Sequence, residues 1–264
     1  MRNVILYTAL FLLIAVTSWR CSDEQLVNGS SAPDHALDIS SARHGSVSNL
    51  LVPAITMNAY IDFPIPAFVF SINGPSGAIT VDWGDGTTDV WTLNNNIIVY
   101  HYYTAEGNYP VTVTGDLETV TAFQATSSSI AAMDQLDISA LPALQYFELT
   151  VARGPAVVDL SHNTALNSIT LRGSPQTTTL LLPPNHVINY VDISATTLSN
   201  NTSLPVATIN ALIDNIHTSV VNNPRSGEFK LADQSGTGWV GPPSPGAVTQ
   251  LEDLGDNYSW TVLP

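Results

Sequence analysis

Positive charge, thiols and long apolar runs are all scarce in this chain, and each scarcity removes a class of protein. It carries 7 Lys+Arg against 22 Asp+Glu, a formal net charge of −15. A surface of that sign repels phosphate backbones and anionic headgroups, which disfavours nucleic-acid binding and electrostatic docking to membranes. Cys21 is the single cysteine, so neither an intrachain disulfide nor a thiolate metal cluster can form. The apolar run from Val4 to Val16 falls short of the about 20 residues that cross a bilayer. Gly84-Asp85-Gly86 lacks the lysine and following helix of a phosphate loop. The six histidines, at 35, 44, 101, 162, 186 and 217, form no His-x-x-x-His pair.

Apolar material is plentiful: 44% of the 264 residues are hydrophobic and 11% are charged, enough for a substantial core in one or two domains. A spacing of eleven organises the middle of the chain. Leu136-Asp137-Ile138-Ser139, Phe147-Glu148-Leu149-Thr150, Val158-Asp159-Leu160-Ser161, Ile169-Thr170-Leu171-Arg172, Leu180-Leu181-Leu182-Pro183 and Val191-Asp192-Ile193-Ser194 all read apolar-x-apolar-x. Every second one has an apolar residue three positions earlier, at Leu144, Leu166 and Ile188, so the full repeat unit is two such spacings long. Each apolar-x-apolar element buries two side chains on one face of a short strand. Stacked copies make the continuous core that one copy cannot.

The N-terminus, 1–20, reads as an export signal. Met1-Arg2-Asn3 and the run to Val16 have the form of an n-region and h-region. Cys21 follows, with Ser22-Asp23-Glu24-Gln25 behind it. This arrangement resembles a bacterial lipoprotein processing site, and the acidic stretch is similar to the surface-export signals of Bacteroidetes-type lipoproteins. The resemblance implies lipid attachment at Cys21 and an exported, outer-membrane-anchored protein at the cell surface. Ser18-Trp19-Arg20 departs from the small residues of a lipobox, which leaves ordinary signal cleavage or an uncleaved anchor as alternatives. Residues 21–49 are polar and Ser-rich, a tether with a reach of roughly 30 Å.

From 50 to 116 the pattern is antiparallel. Strands are expected at Ala67–Ile72, Ala78–Trp83, Ile97–Tyr100 and Tyr109–Val113, separated by Gly74-Pro75, Gly84-Asp85-Gly86 and Gly107-Asn108. The segments Asp82-Trp83-Gly84-Asp85-Gly86-Thr87 and His101-Tyr102-Tyr103, with Gly107-Asn108-Tyr109-Pro110-Val111-Thr112-Val113, resemble the polycystic-kidney-disease-type (PKD) repeat. That resemblance implies a small immunoglobulin-like β-sandwich. Val81-Asp82-Trp83 stands where that family often has Trp-x-Phe.

The rows Leu144-x-x-Phe147-x-Leu149, Leu166-x-x-Ile169-x-Leu171 and Ile188-x-x-Val191-x-Ile193 resemble leucine-rich repeats, as does Asp159-Leu160-Ser161-His162-Asn163-Thr164-Ala165-Leu166. The resemblance implies a short solenoid over 117–264, with Ala152, Ser174 and Thr196 at the family's buried asparagine position. Leu117-x-x-Val120-x-Ala122 reads as a degenerate first row, set further ahead of Leu144 than one repeat unit. Past residue 200 the spacing stops. A helix is expected from Pro205 to His217 on the stripe Val206, Ile209, Leu212, Ile213 and Ile216. A strand follows at Glu228–Leu231. A second helix opens at Ser244-Pro245, with Val248, Leu251 and Leu254 on one face and Gly255 to end it. Ser259–Leu263 closes as a strand, so 201–264 caps the open end.

Candidate chemistry is sparse. Asp82, Asp85 and Asp89 are a weak calcium candidate, set against a turn-forming role, because calcium takes six to eight oxygens. His101 is expected to pack in the sandwich, and His162 and His186 to lie exposed in repeat turns. Asp159, Ser161 and His162 on one repeat do not converge as a nucleophile, base and orienting acid. No cofactor is expected.

Strand alternation instead directs Tyr146, Glu148 and Thr150, then Ser168, Thr170 and Arg172, then Tyr190, Asp192 and Ser194, onto the open face, with Glu228 and Lys230 next. Tyr146, Glu148, Arg172, Tyr190, Asp192 and Lys230 are the expected ligand-binding set, since Tyr and Arg dominate interface hot spots. The expectation is a non-enzymatic surface protein that binds an extracellular protein or glycan. Its membrane contact is through the N-terminal lipid alone. The rivals are an accessory protein or hydrolase of polysaccharide use on a β-helix-like solenoid, and a structural spacer.

Overall fold

In a computed structural model, the structure describes residues 52–62, 66–126, 132–150, 154–172, 176–194, 204–231 and 243–263. Residues 49–264 form one compact unit. The signal, Cys21, the tether and positions 152, 174 and 196 lie outside the described residues.

The described chain is mostly β, with two α-helices, the second of them followed by a C-terminal strand. The strands are β1 (Ile55–Ile61), β2 (Ala67–Asp82), β3 (Thr88–Tyr102), β4 (Gly107–Gly115), β5 (Ala122–Thr126), β6 (Ala132–Asp137), β7 (Tyr146–Thr150), β8 (Val157–Asp159), β9 (Ser168–Arg172), β10 (Thr179–Leu181), β11 (Tyr190–Asp192), β12 (Gly227–Lys230) and β13 (Trp260–Leu263). The helices are α1 (Val206–Asn222) and α2 (Pro245–Tyr258). Among the described residues, one sheet runs β13-β12-β11-β9-β7-β5-β2-β4-β1-β6, with β3 on β2, and β10 and β8 pair separately.

Two of the expected strands, Ala67–Ile72 and Ala78–Trp83, belong to the single strand β2, which with β3 forms a hairpin that folds back on itself. Phe70 and Trp83 are thirteen positions apart on this segment, which would put them about 43 Å apart if straight. Their rings lie 6.2 Å apart. Trp83 also stacks on His101 at 4.8 Å, although His101 pairs with Phe68 at the far end of β2. The fold-back falls where the pairing slips between Gly74 and Gly77. Gly77 has φ +127 and Asn95 has φ 61, conformations that branched residues do not adopt. One half of β2 pairs with β4 through Ile79–Asp82, and the other with β5 through Ser71–Asn73. The tight turn after β2 depends on Gly84, at φ +75, where a Cβ would lie 2.7 Å from the Pro110 carbonyl oxygen.

β1 went unforeseen, though Ile-Thr-Met-Asn-Ala-Tyr-Ile alternates cleanly and buries Ile55, Met57, Ala59 and Ile61. It lies between β4 and β6, antiparallel to both.

From β5 onward the neighbours β5, β7, β9, β11, β12 and β13 are all parallel. Phe147 opposes Ile169 and Ile169 opposes Val191, one full repeat unit on each time, and Val191 opposes Phe229. The first row differs from the expected one. Phe123, not Val120, opposes Phe147, so the offset is slightly longer than the repeat unit and Val120 takes the position of Leu144. The expected alignment followed Leu117, but that residue sits in a separate 3-10 turn at Leu117–Thr119. Phe70, Phe123 and Phe147 form a continuous ring stack with centroids 6.0 and 6.3 Å apart. The sheet and its core therefore continue across the expected boundary at 116/117.

The intervening repeats form the other wall: Val158 opposes Leu180 in the β8–β10 pair, again one full repeat unit apart. Buried Asn163 donates from Nδ2 to the carbonyls of Ile138 and Leu141 in the preceding turn, at 3.0 and 2.9 Å. It is a second donor to each of these carbonyls, which also accept the Leu141 and Leu144 amides, and so ties this row to the one before it.

α1 runs past His217 to Asn222, adding Val220 to a buried stripe of Ile209, Leu212, Ile213 and Ile216. Its last turns are β-branched and poor helix formers, so packing of Val220 outweighs propensity. α2 starts as expected, with Ser244 Oγ accepting from the Ala247 amide at 3.3 Å. It does not stop at Gly255, because Ser259 supplies the left-handed cap at φ 58. Its buried face is Ala247, Leu251 and Leu254; Val248 is exposed. Among the described residues no helix is long and apolar enough to cross a membrane.

Candidate binding face

Parallel register lines up the outward residues in columns. Tyr146, Ser168, Tyr190 and Glu228 form one, and Glu148, Thr170, Asp192 and Lys230 the next. Thr150 and Arg172 begin a third. The structure thus brings all six expected residues onto one strip of neighbouring rows. It differs in exposure: Thr170, Asp192 and Ser194 are buried at 4%, 7% and 2%. Rows about 4.8 Å apart let long neighbours roof over short side chains, and the period-2 rule does not record this.

The strip is internally bonded. Glu148 accepts from the Tyr146 hydroxyl, from Gln124 Nε2 at 3.4 Å and from Thr150 Oγ1 at 3.2 Å. Burial pushes the Tyr146 hydroxyl above its ordinary pKa, and its bond to Glu148 adds to the rise. Asp192 Oδ1 accepts from the Ser194 amide and hydroxyl at 3.0 and 2.6 Å. Lys230 Nζ donates to the Tyr190 hydroxyl at 3.0 Å, lies 3.2 Å from Glu228 and sits 4.9 Å from the Tyr190 ring centre. Its pKa is raised, first by the Tyr190 bond and then by Glu228. Arg172 is less committed: Nε is 3.9 Å from Asp192 Oδ1 and, though buried, has no hydrogen-bond partner among the described residues.

The calcium candidate does not assemble. Asp82 accepts from the Gly84 amide at 2.9 Å. Asp85 accepts from the Thr87 amide and hydroxyl at 3.0 and 2.6 Å and bonds His101 Nε2 at 2.8 Å. Asp89 accepts from Trp83 Nε1 at 2.8 Å. These carboxylates shape a turn and anchor an aromatic cluster, and among the described residues no group of three His, Cys, Asp or Glu is placed to hold a metal ion. Burial pushes the Asp85 carboxyl up, but the bonds from Thr87 and His101 outweigh it and bring it to about 2. Tyr103 completes the cluster, donating to the Trp83 carbonyl at 3.0 Å; burial raises its pKa far above the ordinary value.

Histidine placement is mixed. His101 packs as expected. His162 is exposed, and Asp159 bonds the Ser161 amide, not the imidazole, so the three residues do not form a relay. His186 is buried, contrary to expectation, at 3%. Its Nε2 bonds Asn215 Oδ1 at 2.8 Å, and its Nδ1 accepts from the Ile188 amide at 3.4 Å and faces Arg225 Nη2 at 3.5 Å. Burial lowers its pKa, the Asn215 bond opposes this, and Arg225 lowers it further.

Arg225 is the pin that sequence reasoning missed. It donates to the carbonyls of Ile188, Ser219 and Asn223 at 2.8, 3.2 and 3.0 Å, joining the last repeat turn to the C-terminus of α1. Beside it lies a polar cleft of about 450 Å³ that includes Asn185, His186, Asp214, Asn215, Ser219 and Asn222 in its walls. A second cleft, of about 440 Å³, is lined by Asp89, Val90, Trp91, Tyr100, His101 and Tyr102. Trp91 Nε1 there is buried without an acceptor among the described residues.

No protein-family model, curated protein or solved structure matches the chain.

Proposed function

We propose that this chain is an exported, non-enzymatic surface protein whose parallel rows form a short leucine-rich-repeat-like solenoid fronted by a PKD-like sandwich. The face of Tyr146, Glu148, Arg172, Tyr190 and Lys230, with Asp192 buried beneath it, takes an extracellular protein or glycan. The observation that carries this reading is the hydrogen bonding within and between the rows of that strip. Tyr190 is held by Lys230 and Tyr146 by Glu148, so little side-chain freedom is lost on binding. Arg172 is held less tightly, its Nε 3.9 Å from Asp192 Oδ1. The folded-back hairpin, with its Trp83–His101 stack, supports the sandwich assignment. The regular register of β7, β9 and β11 supports the repeat assignment.

The test is an array of extracellular proteins and glycans probed with the full chain. A partner should lose about tenfold or more in affinity in each of Arg172→Ala and Tyr190→Ala, with melting curves little changed. A partner indifferent to both changes overturns the placement. Lipid anchoring is tested by Cys21→Ala, which should release the protein from the membrane fraction.

A further inference from the structure

The folded-back hairpin builds a second concave surface, away from the rows. Among the described residues β3 pairs only with β2, and no strand of those residues lies on its other edge. Along it Val90, Ile98, Tyr100 and Tyr102 are 73%, 60%, 49% and 66% exposed, four apolar side chains that the core does not use. The bend brings Trp91 and Tyr100, nine positions apart, to 5.6 Å edge-to-face, and Tyr100 meets Tyr102 edge-to-face at 6.0 Å. The three rings line the cleft of about 440 Å³ with Asp89 and His101, a volume within the roughly 300–1,000 Å³ of small-ligand sites.

We infer that this cleft is a binding site for a neutral oligosaccharide, stacked on Tyr100 and Tyr102. The inference is independent of the row-face proposal. A pyranose offers an apolar C–H face to an aromatic ring and hydroxyls that donate and accept at its rim. The cleft matches both demands. The two tyrosine rings, set at 74° to one another, supply separate faces for stacking, and Asp89 has a second carboxylate oxygen beyond the one bonded to Trp83. The hydroxyl of Tyr102, a residue 66% exposed, is a donor at the rim. Charge selects the ligand: the chain carries −15, the cleft's carboxylate is Asp89, and His101 in its wall is bonded to Asp85. Among the described residues no lysine or arginine lines the cleft, so uronates and sulfated sugars are repelled and an uncharged chain is favoured.

The experiment is calorimetric titration of the full chain with gluco-, manno-, xylo- and N-acetylglucosamine oligomers, with oligogalacturonate as the anionic comparison. At least one neutral series should bind saturably at or below about 10 mM. Tyr102→Ala and Tyr100→Ala should each weaken it about tenfold with an unchanged melting curve, while Tyr190→Ala on the row face leaves it alone. Absence of binding by every neutral series overturns the assignment. So does binding of oligogalacturonate alone, or a neutral-sugar affinity that follows Tyr190 and ignores Tyr102. A protein or peptide that competes for Tyr102 with no sugar response would instead make the β3 edge a strand-addition surface.

Discussion

The two halves of the sheet reach a shared core by opposite means. From β5 to β11 the chain repeats one solution, a short parallel strand at near-constant spacing whose inward pair falls on the pair before it. From β1 to β4 nothing repeats. Position-specific devices do the work there: positive φ at Gly77, Gly84 and Asn95, carboxylate-capped turns, and the Trp83–His101–Tyr103 ring cluster. A repeating half tolerates change through redundancy of its rows, whereas the hairpin half concentrates its dependence in a few residues.

The largest effect should come where the halves meet. Phe147 is fully buried and stacks on Phe123, so Phe147→Ala should cost about 3–5 kcal/mol in denaturant melts. A loss comparable to that of an exposed residue would break the picture of one continuous core. Next, Gly84→Ala should cost about 1–3 kcal/mol, because a Cβ meets the Pro110 backbone in a left-handed conformation. A neutral result would show that the hairpin turn adapts and that its specificity is overstated.

Acid sharpens the comparison, since each half holds a group with a depressed pKa. Below the ordinary histidine value of 6.5, unfolded chains bind a proton that folded His186 resists. Stability is therefore complete above that pH and falls as acid is added. In His186→Gln this decline below about pH 6.5 should flatten, read as melting temperature against pH. The Asp85 carboxyl titrates at about 2 in the fold, below its unfolded value of about 3.9. Its contribution is whole above about pH 4 and is lost as pH falls toward 2, a slope that Asp85→Asn should remove. The smallest effect belongs to the β3 edge: Tyr102→Ala should change stability by less than about 0.5 kcal/mol, and a larger loss would mean that Tyr102 serves the fold.

Much of the repeating half was legible in the sequence. Leu149, Leu171 and Ile193 announced their inward face by alternation, and Tyr146, Arg172 and Tyr190 the outward one. What alternation omits is how neighbours shield one another, so Thr170 and Asp192 were placed on the open face but lie buried beneath it. The first row slipped because Leu117 imitated a repeat leucine while serving a 3-10 turn. The hairpin half was read as separate strands, because a strand that doubles back at Gly77 and Asn95 leaves no periodic signal. The aromatic cleft was invisible for the same reason, as Trp91 and Tyr100 are distant along the chain.

The sequence alone determined the strand positions of the rows, their period and the two C-terminal helices. These depend on local periodicity and capping, which residues a few positions apart decide. Tertiary structure decided where the rows begin, that β2 and β3 bend through both faces of the core, that His186 and Arg225 pin α1, and that three rings meet in a cleft. Each of those is a contact between segments distant in the chain, set by packing and hydrogen-bond satisfaction after the strands have formed.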